Sequence, residues 1–132
     1  MTKARKAISG ILEGADEPLS AGDILRRMDC ACDIATVYRS LRFLEQKGLA
    51  DSFAMHCPEH GTERYYMSRR AGLRHWFHCE RCHGFVDLGE CGAESLLRAM
   101  ESETGVDIRK HVMYATGLCA RCRSTQMPRK RA

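Results

Sequence analysis

Ala35-Thr36-Val37-Tyr38-Arg39-Ser40-Leu41-Arg42-Phe43-Leu44-Glu45-Gln46-Lys47-Gly48 is the stretch whose reading decides the fold. At about 100° per residue, Val37, Leu41 and Leu44 fall within about 60° of one another and form an inward stripe. Tyr38, Arg39, Arg42 and Gln46 fall on the opposite side. The spacing predicts a helix from about Ala35 to Lys47, with Asp33 or Ile34 before it and Gly48 as the residue that ends it. An outward face of Tyr, two Arg and Gln suits the second helix of a helix-turn-helix; a plain solvated face is the alternative reading.

Upstream, Lys3 to Leu12 reads as a first helix, stopped by Gly14 and Pro18. Ser20 and Asp23 form a capping box for the next helix, and Leu19 and Ile24 sit where a hydrophobic staple would close it. Downstream, Asp51 to His56 and Glu63 to Met67 are strand-like and flank a turn through Pro58-Glu59-His60-Gly61. Three helices closed by such a hairpin make a winged helix. Arg69-Arg70-Ala71-Gly72 reads as a hinge.

Beyond the hinge the chemistry changes. Trp76 to Cys79 and Gly84 to Leu88 read as strands around a Cys-x-x-Cys turn. Ala93 to Glu103 is an amphipathic helix, with Leu96, Leu97 and Met100 expected inward and Gly105 as its stop. Ile108 to Ala115 reads as a last strand before a second Cys-x-x-Cys turn. The fold class expected is α+β: a winged helix-turn-helix over 1–68, a hinge over 69–73, a small α/β domain over 74–126 and a basic tail over 127–132.

With 132 residues and eight cysteines, each half is near the size at which a core alone is marginal, so a metal or a partner is expected to help. The net charge of +4 decides little, because residues 1–70 carry 11 Lys and Arg against 10 Asp and Glu. Much of the excess lies in Arg129, Lys130 and Arg131, where a solvated tail is the ordinary reading. No secretory leader is legible at the start, and no run nears the roughly 18 apolar residues that span a bilayer. A cytoplasmic setting is expected, in which cysteines serve as metal ligands rather than disulfides.

Cys79-x-x-Cys82 and Cys119-x-x-Cys122 carry the strongest signal. Each pair can bite one tetrahedral ion from a tight turn, and two pairs close a four-thiolate shell that favours one structural Zn²⁺ per chain. A thiol-redox pair is the competing reading, but it needs a Cys-x-x-Cys at a helix N-terminus. His75, Asp87, Glu94 and His111 form a looser N/O set suited to a second, exchangeable divalent metal. Cys57 and His60, beside His56, are spaced for chelation on the wing tip. Cys30, Cys32 and Cys91 read as small buried hydrophobes, and His78 and His83 flank the first thiolate pair.

The sequence resembles the ferric uptake regulator family of bacterial repressors over nearly its whole length. Leu19-Ser20-Ala21, Ala35 to Leu41 with Leu44 and Gly48-Leu49, and both Cys-x-x-Cys pairs with Gly117-Leu118 carry the likeness. The resemblance implies a repressor that binds a double-stranded DNA operator as a homodimer, with no membrane and no small organic substrate. It implies DNA contacts from Thr36, Tyr38, Arg39 and Arg42. It also matches His75, Glu94 and His111 to one metal site, Asp87 to an acidic sensor ligand and Asp51 to a ligand of zinc-sensing members.

Two histidines of the family's sensor are replaced by Arg74 and Trp76, and Cys57, His60 and His78 are candidate substitutes. The short run before Cys79 and the segment Gly89-Glu90-Cys91 resemble zinc uptake regulators more than iron sensors, so the second metal expected is also Zn²⁺. The alternatives are an iron-, manganese- or peroxide-responsive member, or a zinc-stabilised protein-interaction module that binds no DNA.

Overall fold

The computed structural model describes residues 1–125, so the expected basic tail lies outside the described residues. Two compact units are present, Met1–Gly72 and Leu73 onward.

The first unit begins with α1 (Lys3–Gly14), whose N-terminus is closed by Thr2 accepting from the Arg5 N–H. β1 (Leu19–Ser20) leads straight into α2 (Ala21–Arg27). The expected capping box is formed there: the Ser20 hydroxyl accepts from the Asp23 N–H at 3.1 Å, and the Ser20 N–H donates to the Asp23 carboxylate at 3.1 Å. α3 (Ile34–Gln46) is capped by Asp33 and ends as Gly48 turns left-handed, φ 72°. It buries Val37, Leu41 and Leu44 as its periodicity requires, together with Ser40.

β2 (Ala50–Cys57) and β3 (Gly61–Ser68) pair antiparallel from Ala50↔Ser68 to Cys57↔Gly61. β1 adds to the other edge of β3, giving the order β1-β3-β2. Two residues are too few to show an alternation, which is why β1 is not legible in the sequence. Ile8 and Leu12 of α1, Ile24 of α2, the α3 stripe and Tyr66 of β3 meet in one buried cluster. This is a winged helix-turn-helix. A single turn of 3₁₀ helix, Arg69–Ala71, follows, and Gly72 at φ 80° adopts a backbone that L side chains rarely take.

The second unit is built on β4 (Arg74–Cys79) as the centre of a three-stranded sheet. β5 (Phe85–Glu90) runs antiparallel to it and β6 (Tyr114–Gly117) runs parallel. α4 (Glu94–Thr104) lies between β5 and β6 in the chain, and α5 (Ala120–Ser124) closes the described residues.

Two expectations are corrected here. The last strand is confined to Tyr114–Gly117, because pairing with β4 starts only at Trp76↔Tyr114. Upstream of it the Ile108 N–H goes to the Glu101 carboxylate at 2.9 Å, and His111 turns toward β4 with its side chain. Nor does α4 bury its apolar stripe within the chain: Leu96 is 59% and Met100 44% exposed, and none of its residues is buried. Val86 and Leu88 of β5 are likewise exposed, so the apolar side chains of this sheet do not cover the helix.

Candidate nucleic-acid interface and metal centres

Tyr38, Arg39 and Arg42 stand exposed on one side of α3, while Thr36 is half-buried at its first turn. Thr36 joins the cap to the outward face. Its N–H donates to the Asp33 carboxylate at 2.8 Å, and its hydroxyl oxygen accepts from the Arg39 guanidinium at 3.1 Å. The Thr36 hydroxyl and then its N–H hold the Asp33 carboxyl below the usual carboxylate range. Arg39 is thereby oriented before any ligand arrives.

The helix is also tied to its neighbours. The buried Ser52 hydroxyl of β2 donates to Glu45 at 2.9 Å and accepts from Arg64 of β3 at 3.0 Å. The Arg5 guanidinium of α1 lies 3.8 Å from the centre of the Phe43 ring. These contacts tie α3 to the β2–β3 hairpin and to α1.

In the second unit, parallel pairing decides where the cysteines meet. Cys79 ends β4 opposite Gly117 of β6, so both strands deliver their C-terminal ends to the same edge of the sheet. The ligand atoms of Cys79, Cys82, Cys119 and Cys122 all lie within 4.8 Å of one another. Cys82 Sγ and Cys119 Sγ are 3.8 Å apart. A tetrahedral ion with Zn–S bonds of about 2.3 Å requires an S–S edge of about 3.8 Å, so the donor set fits zinc.

Burial pushes the Cys79 thiol up, but N–H groups of Cys119, Cys82 and Arg81 outweigh it and bring the thiol to about 5. Burial and the three neighbouring sulfurs push Cys122 up to about 12. Both shifts belong to the cluster as a whole, since each negative sulfur makes the next harder to form and a cation at the centre relieves all four. Arg121, on the short α5, is held further toward its charged form by hydrogen bonding to Cys82 and by the charges of Cys82, Cys119 and Cys122. It is a counter-charge to the thiolates that the sequence reading missed. Its position inside the second Cys-x-x-Cys was the available signal.

A second cluster lies within the same unit. His75 Nε2 and His111 Nε2 are 3.4 Å apart, and Cys91 Sγ is 3.3 Å from His111 Nε2. The ligand atoms of all three lie within 4.8 Å of one another. His75 is buried, and its Nδ1 donates to the Met113 carbonyl at 3.1 Å, which makes Nε2 the acceptor facing the cluster.

Of the four N/O candidates, the structure thus brings His75 and His111 together. Asp87 and Glu94 are not in that cluster. Asp87 is paired with Arg74 at 3.3 Å and accepts from the Gly89 N–H at 2.7 Å. Glu94 is paired with Arg98 one turn along α4. Cys91, read from sequence as a small hydrophobe, takes their place. A cysteine between Gly89 and Gly92, in a bend leading to a helix, was the overlooked signal.

Cys57 Sγ and His60 Nδ1 approach to 3.8 Å at the wing tip. Asp51 accepts from the Ser52 N–H at 2.9 Å. His78 is buried against Phe85, ring centres 5.0 Å apart. Trp76 is buried edge-on to Phe85.

A winged helix-turn-helix followed by an α/β unit with a four-cysteine centre defines a class of metal-binding transcription regulators, which are not enzymes. The chain belongs to the ferric uptake regulator family, whose family model matches residues 1–116. Among its relatives, the zinc uptake regulation protein of Mycobacterium tuberculosis is 29% identical over 128 residues, 93% of this chain and 94% of that protein. A solved zinc uptake regulator complexed with zinc and DNA is 26% identical, with a TM-score of 0.65 over 93% of this chain and 83% of that one. The Helicobacter pylori ferric uptake regulator shares the fold at a TM-score of 0.75 and 19% identity, over 96% and 84% of the two chains. No helix among the described residues is long and apolar enough to cross a membrane.

Proposed function

We propose that the chain is a zinc-responsive transcriptional repressor that binds a double-stranded DNA operator as a homodimer in the cytoplasm. The observation that carries this reading is the presence, in one small unit, of two donor clusters of different completeness. The four thiolates Cys79, Cys82, Cys119 and Cys122 close a shell and hold one permanent, structural zinc. The set containing His75 and His111 leaves at least one position open, and an open set exchanges its ion with the medium. Zinc supplies a redox-inert centre at both places. The relatives named for zinc uptake regulation, and the DNA complex of one such regulator, support the choice of metal and partner.

On the winged helix, Tyr38, Arg39 and Arg42 enter the major groove, with Thr36 setting the direction of Arg39. Arginine forks onto guanine and tyrosine packs on a thymine methyl, so these residue types suit base reading. The second copy covers α4: a helix of 11 residues with no buried side chain is too short to hold its shape alone. Two recognition helices in a dimer then address half-sites about 34 Å apart. His111 held against β4 fixes the segment before β6, including the exposed Val112 and Met113, and favours the dimer that fits the operator. The response equals the difference in zinc affinity between the two states.

The test is operator binding titrated against buffered free zinc, iron and manganese, for wild type and His111→Ala. Zinc should drive binding of the wild type, whereas His111→Ala should keep its four-cysteine zinc and lose the response. Equal activation by iron, or a normal response in the mutant, overturns the zinc-sensing reading.

A further inference from the structure

The three-membered cluster at the start of β4 differs from what either spacing or family resemblance indicated, because its third donor is sulfur. We propose that Cys91 is a ligand in the exchangeable site, making it a two-histidine, one-thiolate zinc centre with a fourth position open. This assignment deepens the zinc-responsive reading above and rests on it.

Three observations converge. The first is spacing. A tetrahedral zinc with Zn–N of about 2.05 Å and Zn–S of about 2.3 Å needs N–N and N–S edges of about 3.4 and 3.5 Å. The His75–His111 nitrogens are 3.4 Å apart, and the Cys91 sulfur lies 3.3 Å from His111. The second is tautomer. Two Nε2 atoms facing each other at this distance repel when both carry protons or both carry bare lone pairs. His75 gives its Nδ1 proton to the Met113 carbonyl, so its Nε2 presents a lone pair. Without an ion the His111 Nε2–H donates to that lone pair, and a cation between the rings replaces this proton and takes both lone pairs. The third is convergence. The donors come from β4, from the bend before α4 and from the segment before β6, three places distant in sequence.

The donor set also says which ion is held. Two imidazoles and one thiolate suit a borderline-soft ion, whereas Mn²⁺ prefers oxygen donors and Fe²⁺ gains less from sulfur. Neither Asp87 nor Glu94 belongs to the cluster, whose third donor is sulfur. Selectivity for zinc is thus built into the position of Cys91.

The experiment uses full-length protein whose four-cysteine centre is loaded with zinc, titrated with Co²⁺ while retained zinc is measured. Wild type should bind cobalt at the second site with a thiolate-to-cobalt charge-transfer band in the near ultraviolet. Cys91→Ser should lose that band and weaken zinc there by at least about 100-fold, since losing even an outer partner of a ligand costs about 10–100-fold. Cys91→His should restore tight binding without the band. Wild-type cobalt bound without the sulfur band, or a band undiminished in Cys91→Ser, overturns the assignment. If Cys91→Ser still answers zinc at the operator with unchanged affinity, Cys91 is no ligand and the zinc-responsive reading stands. If wild type takes up no second ion at all, both fall.

Discussion

The two halves of the chain are folded by different means. The first buries apolar side chains from every one of its helices and from its sheet, in a single cluster running from Ile8 to Tyr66. Among the described residues of the second, those buried are His75, Trp76, His78, Cys79 and Cys122. Four of these five are histidine or cysteine. Meanwhile Val86, Leu88, Leu96, Met100, Val112 and Met113 lie exposed. Where the first half has oil, the second has mostly histidine and cysteine inside and oil outside. The first half's stability is therefore local to its own sequence, whereas in the proposed function the second rests on an ion and on a second copy of itself.

The largest effect should come from breaking the closed shell. Cys119→Ser should abolish the structural zinc, whose apparent binding energy in comparable centres is about 10–16 kcal/mol. Hydrogen exchange read by mass spectrometry should then show residues 73–125 unprotected and residues 1–72 still protected. Equal loss of protection in both halves would refute the division.

Leu41→Ala should do the reverse. It should cost the first half about 2–5 kcal/mol, the usual range for truncating a buried leucine, with the zinc content unchanged. Denaturant unfolding followed together with zinc release checks this. Coincident loss of zinc and winged helix would mean that the halves do not hold separately.

Smaller, and confined to the outward face of α3, are Tyr38→Ala and Arg39→Ala. Each should weaken specific operator binding by about 1–3 kcal/mol, the value of a base-edge contact, without moving the unfolding midpoint. Unchanged affinity in both would remove α3 from the interface.

The smallest effect concerns pH. The Asp33 carboxyl sits below its ordinary value of 3.8 because Thr36 donates to it. The folded state thus gains from its ionised form, fully above that ordinary value, and the gain is lost as pH falls through the lower folded value. Asp33→Asn can still cap but cannot ionise. Its stability should change less than that of wild type between pH 5 and about pH 2, and parallel acid limbs of the two urea-midpoint curves would show that the cap charge does not matter.

These contrasts also explain what could be read from the sequence. The winged half was legible almost residue by residue, because Val37, Leu41 and Leu44 obey the helix period and Ser20 and Asp23 spell a cap. The four-cysteine centre was legible because its spacing is itself the chemistry. The α4 stripe was legible as a pattern but not in its destination, since periodicity says that Leu96 and Met100 want burial and not which chain supplies it. The parallel pairing of β4 and β6 left no local trace. The meeting of His75 with His111 was expected from the family resemblance alone, and Cys91 arrives beside them through β5, where Glu90 stands opposite Arg74. Cys91 was passed over for that reason: a lone cysteine becomes a ligand only through contacts that join distant segments.

Arg74 and Asp87 lead to one more consequence. A dissolved metal ion informs a protein because its occupancy follows its concentration outside. The guanidinium that meets Asp87 at 3.3 Å is fastened to the same sheet, and its local abundance is set by the backbone rather than by the medium. A carboxylate supplied in this way carries no news. Under the proposed function, this permanent cation turns a place that could have measured into a place that only holds, and leaves the measuring to side chains that must wait for their ion to arrive.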